Sequence, residues 1–121
     1  MPLLTEGSSI IMVSSLAAGT AVGNLSAYAA TKGAISTLVK HFAVALGANG
    51  IRVNGIAPGV IDTHMSSFTH TKEGREIILT MQTFKRIGKP DDVGAVVAFL
   101  ASDEARWVTG DILTVSGGSK L

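Results

Sequence analysis

Tyr28 and Lys32 are four residues apart in Tyr-Ala-Ala-Thr-Lys, and Ser15 precedes the tyrosine by thirteen residues. On a helix, a four-residue spacing puts two side chains on one face, so a phenol and an ammonium can address one ligand. A phenol ordinarily titrates near roughly 10. A neighbouring ammonium favours the phenolate and brings such a group closer to work as a proton donor or acceptor near neutrality. A serine hydroxyl across the same pocket can hydrogen-bond a substrate oxygen on which charge develops. Proton transfer at an oxygen is the chemistry these three residue types can share. The pair alone does not select it, because Tyr and Lys at this spacing are common on ordinary helices.

The elements that must position these residues are legible as alternating strand and helix patterns. Ser9 to Ser14 is a short apolar run bounded by Gly7 and Ser15, which predicts a buried strand with Ser15 at its C-terminal end. A glycine-containing loop, Thr20 to Ser26, follows. From about Ala27 to Ala48 the residues Ile35, Leu38, Val39, Phe42 and Leu46 keep helical periodicity, and Asn49-Gly50 supplies the stop. Arg52 to Ala57 predicts the next strand, ended by Pro58-Gly59. Asp62 to Phe84 is more polar and predicts a loop, with a helix near Glu73 to Met81. Pro90 opens a further helix with Asp91 and Asp92 at its positive end, continued by Val93, Val96, Val97 and Leu100. Ile112 to Val115 is the last predicted strand. Strand–helix–strand alternation predicts an α/β fold with parallel crossovers.

Composition removes several classes of function. A net charge of +1 provides no basic field for nucleic acid. With no cysteine there is no disulfide framework, thiol nucleophile or zinc–thiolate site. His41, His64 and His70 form no ligand-spaced pair with a carboxylate and are read as ordinary polar positions, with no metal expected. No apolar run is long enough to span a membrane, and Met1 to Leu4 lacks the regions of a signal peptide.

The runs Gly7 to Ser15, Tyr28 to Lys32 and Ile51 to Gly59 resemble the short-chain dehydrogenase/reductase family. So do Arg86 to Val93, Phe99 to Asp103 and the closing Thr109 to Gly118, all in family order. The nearest flavour is the 3-oxoacyl-carrier-protein reductase and glucose-dehydrogenase-like group. The resemblance implies a partial Rossmann-like, doubly wound parallel sheet: the C-terminal half, about three strands with flanking helices, as one partial domain over residues 1–121. It implies NAD- or NADP-dependent hydride transfer between cofactor and a small-molecule carbonyl or alcohol. Tyr28 is then the acid/base, Lys32 its activator and the holder of the nicotinamide ribose, and Ser15 the group that orients the substrate carbonyl. Pro58, Gly59, Ile61 and Thr63 match the segment that touches the nicotinamide, and Asp62 to Phe84 corresponds to a flap over the substrate.

The glycine-rich phosphate loop expected of this family has no counterpart here. Gly19 and Gly23 flank Thr20-Ala21-Val22, and no G-x-G-x-x-G run is present. Fourteen residues precede Ser15, too few for a dinucleotide-binding half, so that half is expected to be absent and cofactor binding by this chain alone is not expected. Two readings follow. One is an oxidoreductase present in part, as a fragment or as one member of a split enzyme. The other is a catalytically inactive interaction module that associates with complete relatives. A homo-oligomer, or association with another chain of the family, is expected, because an apolar strand would lack a neighbour. The expected location is cytoplasmic. The closing Ser119-Lys120-Leu121 also spells a peroxisomal address, which carries weight in a eukaryote.

Overall fold

The computed structural model describes residues 3–119. Its sheet has three parallel strands in the order β1-β2-β3: β1 is Ser9–Val13, β2 is Arg52–Pro58 and β3 is Ile112–Val115. The helices are α1 (Ser26–Gly47), α2 (Lys72–Met81) and α3 (Pro90–Ala101). Val53 to Ala57 are all buried, as a strand covered on both faces requires.

Side-chain alternation along β2 divides the core between the two faces. Ile56 packs with Leu100 of α3 and with Ala105, and Ile11, Val93, Val97 and Leu113 close around them. On the other face α1 contributes Val39 and Ala43, both buried. Gly55 permits this approach, because a Cβ there would lie 3.2 Å from Val39 and 3.1 Å from Ile112. Helices on both faces make the sheet a doubly wound α/β layer, in agreement with the strand and helix alternation of the sequence.

Polar side chains fix the ends of these layers. The Arg52 guanidinium donates to the carbonyls of Leu100 (2.8 Å) and Ser102 (3.1 Å), where a helix C-terminus favours positive charge. Asn54, fully buried, donates to the Val108 carbonyl at 2.8 Å and accepts the Asp111 N–H at 3.2 Å. At the start of α3, Asp92 accepts the Lys89 N–H at 2.8 Å and takes the Arg86 guanidinium as a fork at 2.7 and 2.8 Å.

That fork holds the Asp92 carboxyl well below the usual carboxylate range, the Arg86 hydrogen bond being the larger cause and the Lys89 N–H the next. A depressed folded-state value stabilises the fold above the unfolded value of roughly 4 and loses that effect as pH falls. Wild type is therefore expected to melt above Asp92→Asn at neutral pH, and the gap should narrow as the buffer is taken from about pH 4 toward pH ~2. A gap that does not vary across thermal melts in this range would remove the ion pair as its source.

Candidate active site

Open parallel sheets place ligand chemistry beyond the C-terminal ends of their strands. Ser15 lies there, two residues past the end of β1, in extended backbone (φ −159°, ψ 153°). Its Oγ accepts the Ala17 N–H at 3.2 Å and so starts the 3-10 turn Leu16–Ala18. One lone pair is used by this cap, and the hydroxyl keeps a proton to donate.

Tyr28 is in the first turn of α1 and is 37% exposed, which leaves its phenol open to a ligand. Lys32 follows one turn later, with Nζ 5.7 Å from the centroid of the Tyr28 ring. The four-residue spacing thus brings the pair onto one face, as the sequence predicts. The ammonium has a further partner that the spacing does not reveal, donating to the Val13 carbonyl at 2.9 Å.

Ser14 is the positioning group that the sequence reading passed over. It is 2% exposed, and its Oγ lies 2.7 Å from Ser36 Oγ. Both hydroxyls reach the Lys32 carbonyl, at 3.0 and 3.1 Å. Each has one proton, so one bonds the carbonyl while the other bonds its neighbour. This ties the end of β1 to the turn of α1 that carries Lys32. The available signal was a hydroxyl closing an apolar strand, opposite a serine one turn after the lysine. Ser14→Ala is expected to cost about 1–2 kcal/mol in denaturant unfolding. The same loss added to a Ser36→Ala background should be smaller, since the two share one acceptor; full additivity would contradict the shared bond.

The second group of sequence-selected residues follows β2. The Gly59 N–H donates to the Val115 carbonyl at 2.9 Å. A Cβ on Gly59 would lie 2.8 Å from Ser116 Cβ and 2.9 Å from its Cα, so only glycine fits the turn after Pro58. Ile61 bridges Gly88, and Asp62 donates its N–H to the Gly88 carbonyl at 2.8 Å. Thr63 leads into a 3-10 stretch, His64–His70, and its Oγ1 is 3.0 Å from Ser66 Oγ, which also bonds the Ile61 carbonyl. Asp62 and His70 pair at 2.9 Å. His70 remains a polar surface position, and the 3-10 stretch brings it to a carboxylate eight residues away in sequence. The His70 bond holds the Asp62 carboxyl below its ordinary value.

The sequence-selected residues fall in two clusters along the chain: Ser15 follows β1, with Lys32 reaching Val13 and lying beside Tyr28, while Pro58 ends β2 and Gly59, Ile61 and Thr63 follow it. Among the described residues no hydrogen bond joins the two clusters, nor Ser15 to Tyr28. A cavity of about 510 Å³ reaches Ile61, Gln82, Phe84, Arg86 and Ser116 but none of Ser15, Tyr28 and Lys32. Among the described residues there is no group of three or more His, Asp and Glu side chains that could hold a metal, and no helix is long and apolar enough to cross a membrane. Ser119 is buried, donating from Oγ to the Ser116 carbonyl at 2.9 Å, while Lys120 and Leu121 of the closing tripeptide lie outside the described residues.

Residues 1–120 match the family described as Enoyl-(Acyl carrier protein) reductase. The chain is 43% identical to the 7alpha-hydroxysteroid dehydrogenase of Escherichia coli over 93% of its own length and 44% of that protein. Among solved structures, the angucycline C-6 ketoreductase LanV with bound NADP superposes with a TM-score of 0.90 at 37% identity, covering 98% of this chain and 46% of that one. A 7 alpha-hydroxysteroid dehydrogenase complexed with NADH and 7-oxo glycochenodeoxycholic acid superposes with a TM-score of 0.86 at 42% identity, covering 92% and 44%. The chain thus spans less than half the length of these relatives, and spans that part with their α/β layering. It belongs to the short-chain dehydrogenase/reductase family.

Proposed function

We propose that this chain carries the proton-transfer and nicotinamide-facing part of an NAD(P)-dependent oxidoreductase acting on a small carbonyl or alcohol. The observation that carries this reading is the Lys32 ammonium 5.7 Å from the Tyr28 ring and bonded to Val13, two residues before Ser15. A relative solved with NADH and another with NADP support a nicotinamide cofactor. When bound, that cofactor supplies or accepts the hydride. Tyr28 Oη gives a proton to the substrate oxygen during reduction and takes it back during oxidation. Lys32 beside it places a positive charge next to the reacting oxygens. Ser15 donates its remaining proton to the same oxygen and orients the carbonyl.

The residues fit one end of a dinucleotide and not the other. Tyr28 and Lys32 would meet the ribose, and Pro58, Gly59, Ile61 and Thr63 the nicotinamide ring, where the absent Cβ of Gly59 lets the backbone turn closely. No glycine-rich helix opening cradles the pyrophosphate. The phosphate-binding half is therefore assigned to polypeptide outside these residues, whether in the same gene product, in a second copy or in another family chain. Residues 1–121 then act as one partial domain. Titration of the purified chain with NADH and NADPH, followed by cofactor fluorescence, tests this assignment. No saturable binding is expected, and a saturable isotherm would refute the need for a second half.

A second reading, an interaction module without turnover, is favoured by one feature: Leu38 and Phe42, four residues apart on one face of α1, are each 40% exposed. Such a surface suits association with another chain. An in-frame dinucleotide-binding half in the DNA upstream of Met1 would decide for the enzyme.

A further inference from the structure

The segment after β2 is anchored through its backbone at its two ends. The Asp62 N–H bonds the Gly88 carbonyl at 2.8 Å, and the Thr83 and Phe84 N–H groups bond the Gly118 and Gly117 carbonyls at 3.2 and 2.9 Å. Among the described residues, His64–Met81 makes no backbone hydrogen bond to any strand. The 3-10 stretch and α2 pack chiefly on each other, and they are locked together. A Cβ on Gly74 would run into the Phe68 carbonyl, Thr71 Oγ1 accepts the Gly74 N–H at 3.1 Å, and Arg75 donates to the Thr69 carbonyl at 3.4 Å. Side chains do the remaining fastening. At the far end Gln82, 4% exposed, gives its amide to the Phe84 and Arg86 carbonyls, and Lys85 Nζ donates to the Leu79 carbonyl at 2.7 Å. At the near end Ser66 Oγ bonds the Ile61 carbonyl, and the Asp62 carboxylate accepts from His70 Nε2 at 2.9 Å and from Thr69 Oγ1 at 3.3 Å. A carboxylate only accepts, so His70 Nε2 holds the proton of that bond.

We propose that Asp62 and His70 are positioning residues, the clasp that holds His64–Met81 shut as a lid hinged at its Gln82 end. The Asp62 peptide is fixed to Gly88, so its carboxylate is a stationary post. His70 ends the 3-10 stretch, and its bond brings the first part of the lid back onto that post. Both side chains are partly exposed, 55% for His70 and 42% for Asp62, so the bond is weak enough to open in ordinary local fluctuation. Neighbouring charges do not replace it. Arg75 lies near the Asp62 carboxylate but bonds the Thr69 carbonyl within the lid and moves with it, and Lys72 pairs with Glu76 at 4.0 Å within α2. Ser66 sits at the break between two short turns (φ −111°, ψ 47°), and its Oγ also lies 3.0 Å from Thr63 Oγ1. A shut lid therefore steadies Ile61 and Thr63, the residues given to the nicotinamide. That consequence rests on the function proposed above; the clasp does not.

The test is amide hydrogen exchange of the full chain, read residue by residue, in wild type and three variants. The reporters in the lid are the amides of Ser66, Thr71 and Arg75, which bond within it, and the reporters in the sheet are those of Ser14 and Gly55. Asp62→Ala and His70→Phe should each speed exchange at the lid reporters by roughly three- to fivefold, the scale of an exposed ion pair, with the sheet reporters unchanged. His70→Gln places an amide N–H where the imidazole Nε2 stood and should restore the wild-type rates. The double variant Asp62→Ala/His70→Phe should exchange no faster than the faster single one, because both remove one bond. Unchanged lid rates in both single variants overturn the clasp. Equal acceleration in lid and sheet overturns local opening in favour of general destabilisation. Rates in His70→Gln as fast as in His70→Phe overturn the hydrogen bond as the cause, and full additivity overturns the pairing of the two residues. No arm uses turnover, so an assembly that reduces no carbonyl would remove the oxidoreductase reading and leave the clasp standing.

Discussion

Tyr28→Phe is expected to lower carbonyl reduction by about 10²–10⁴-fold in the cofactor-loaded assembly, the range by which a positioned acid/base accelerates proton transfer. The substitution deletes one oxygen and keeps the ring, so the packing of the first turn of α1 is retained. Cofactor affinity should then be roughly unchanged, because the Lys32 ammonium and the turn after Pro58 remain. The result to look for is a fall in kcat with the cofactor dissociation constant held. Retained turnover would remove Tyr28 from its role, and a parallel loss of cofactor binding would make its ribose contact the larger of its two tasks. Lys32→Met should lose turnover and weaken cofactor binding together, since the proposal gives that side chain both tasks. The difference between the two variants separates proton transfer from ribose binding.

Much of the site was legible in the sequence because its parts are local. A four-residue spacing puts Tyr28 and Lys32 together on any helix, and the observed α1, Ser26–Gly47, differs by one residue at each end from the predicted span. β3 occupies Ile112–Val115 as periodicity predicts. β1 ends at Val13, one residue short of the predicted run, with the Ser14 N–H still bonding the Ile56 carbonyl. β2 runs through Pro58, because the N–H that proline lacks would face the β1 side while the Gly59 N–H bonds Val115 on the β3 side. Contacts set by tertiary geometry were not legible. The 3-10 stretch His64–His70 has no apolar periodicity and is held by side chains reaching back, Ser66 to the Ile61 carbonyl and His70 to Asp62. The Lys32–Val13 bond depends on which strand edge lies open, a fact that no spacing in a single chain encodes.

The other large effect is expected at Asn54, far from the reacting groups. Asn54→Leu should destabilise the chain by about 2–4 kcal/mol, a sizeable part of the roughly 5–15 kcal/mol that holds a domain folded. Leucine matches the volume, so the loss is one of hydrogen bonds: the Val108 carbonyl and the Asp111 N–H would each be left without its present partner. These bonds set the register of the last strand. Asp111 also accepts the Gly55 N–H through its carbonyl at 2.8 Å, and Gly55 pairs with Ile112. Loosening this corner lets β3 shift along β2, and Ser116 then moves against Gly59, where the clearance for even one methyl group is already absent. Denaturant unfolding should show a lower midpoint with the slope unchanged. A midpoint within about 0.5 kcal/mol of wild type would mean that water or neighbouring groups replace both bonds, and that the register is held elsewhere. Asn54→Asp provides the control: it keeps the acceptor for Asp111, loses the donor for Val108 and buries a charge. It should recover stability as pH is lowered, because a protonated carboxyl regains an O–H to give.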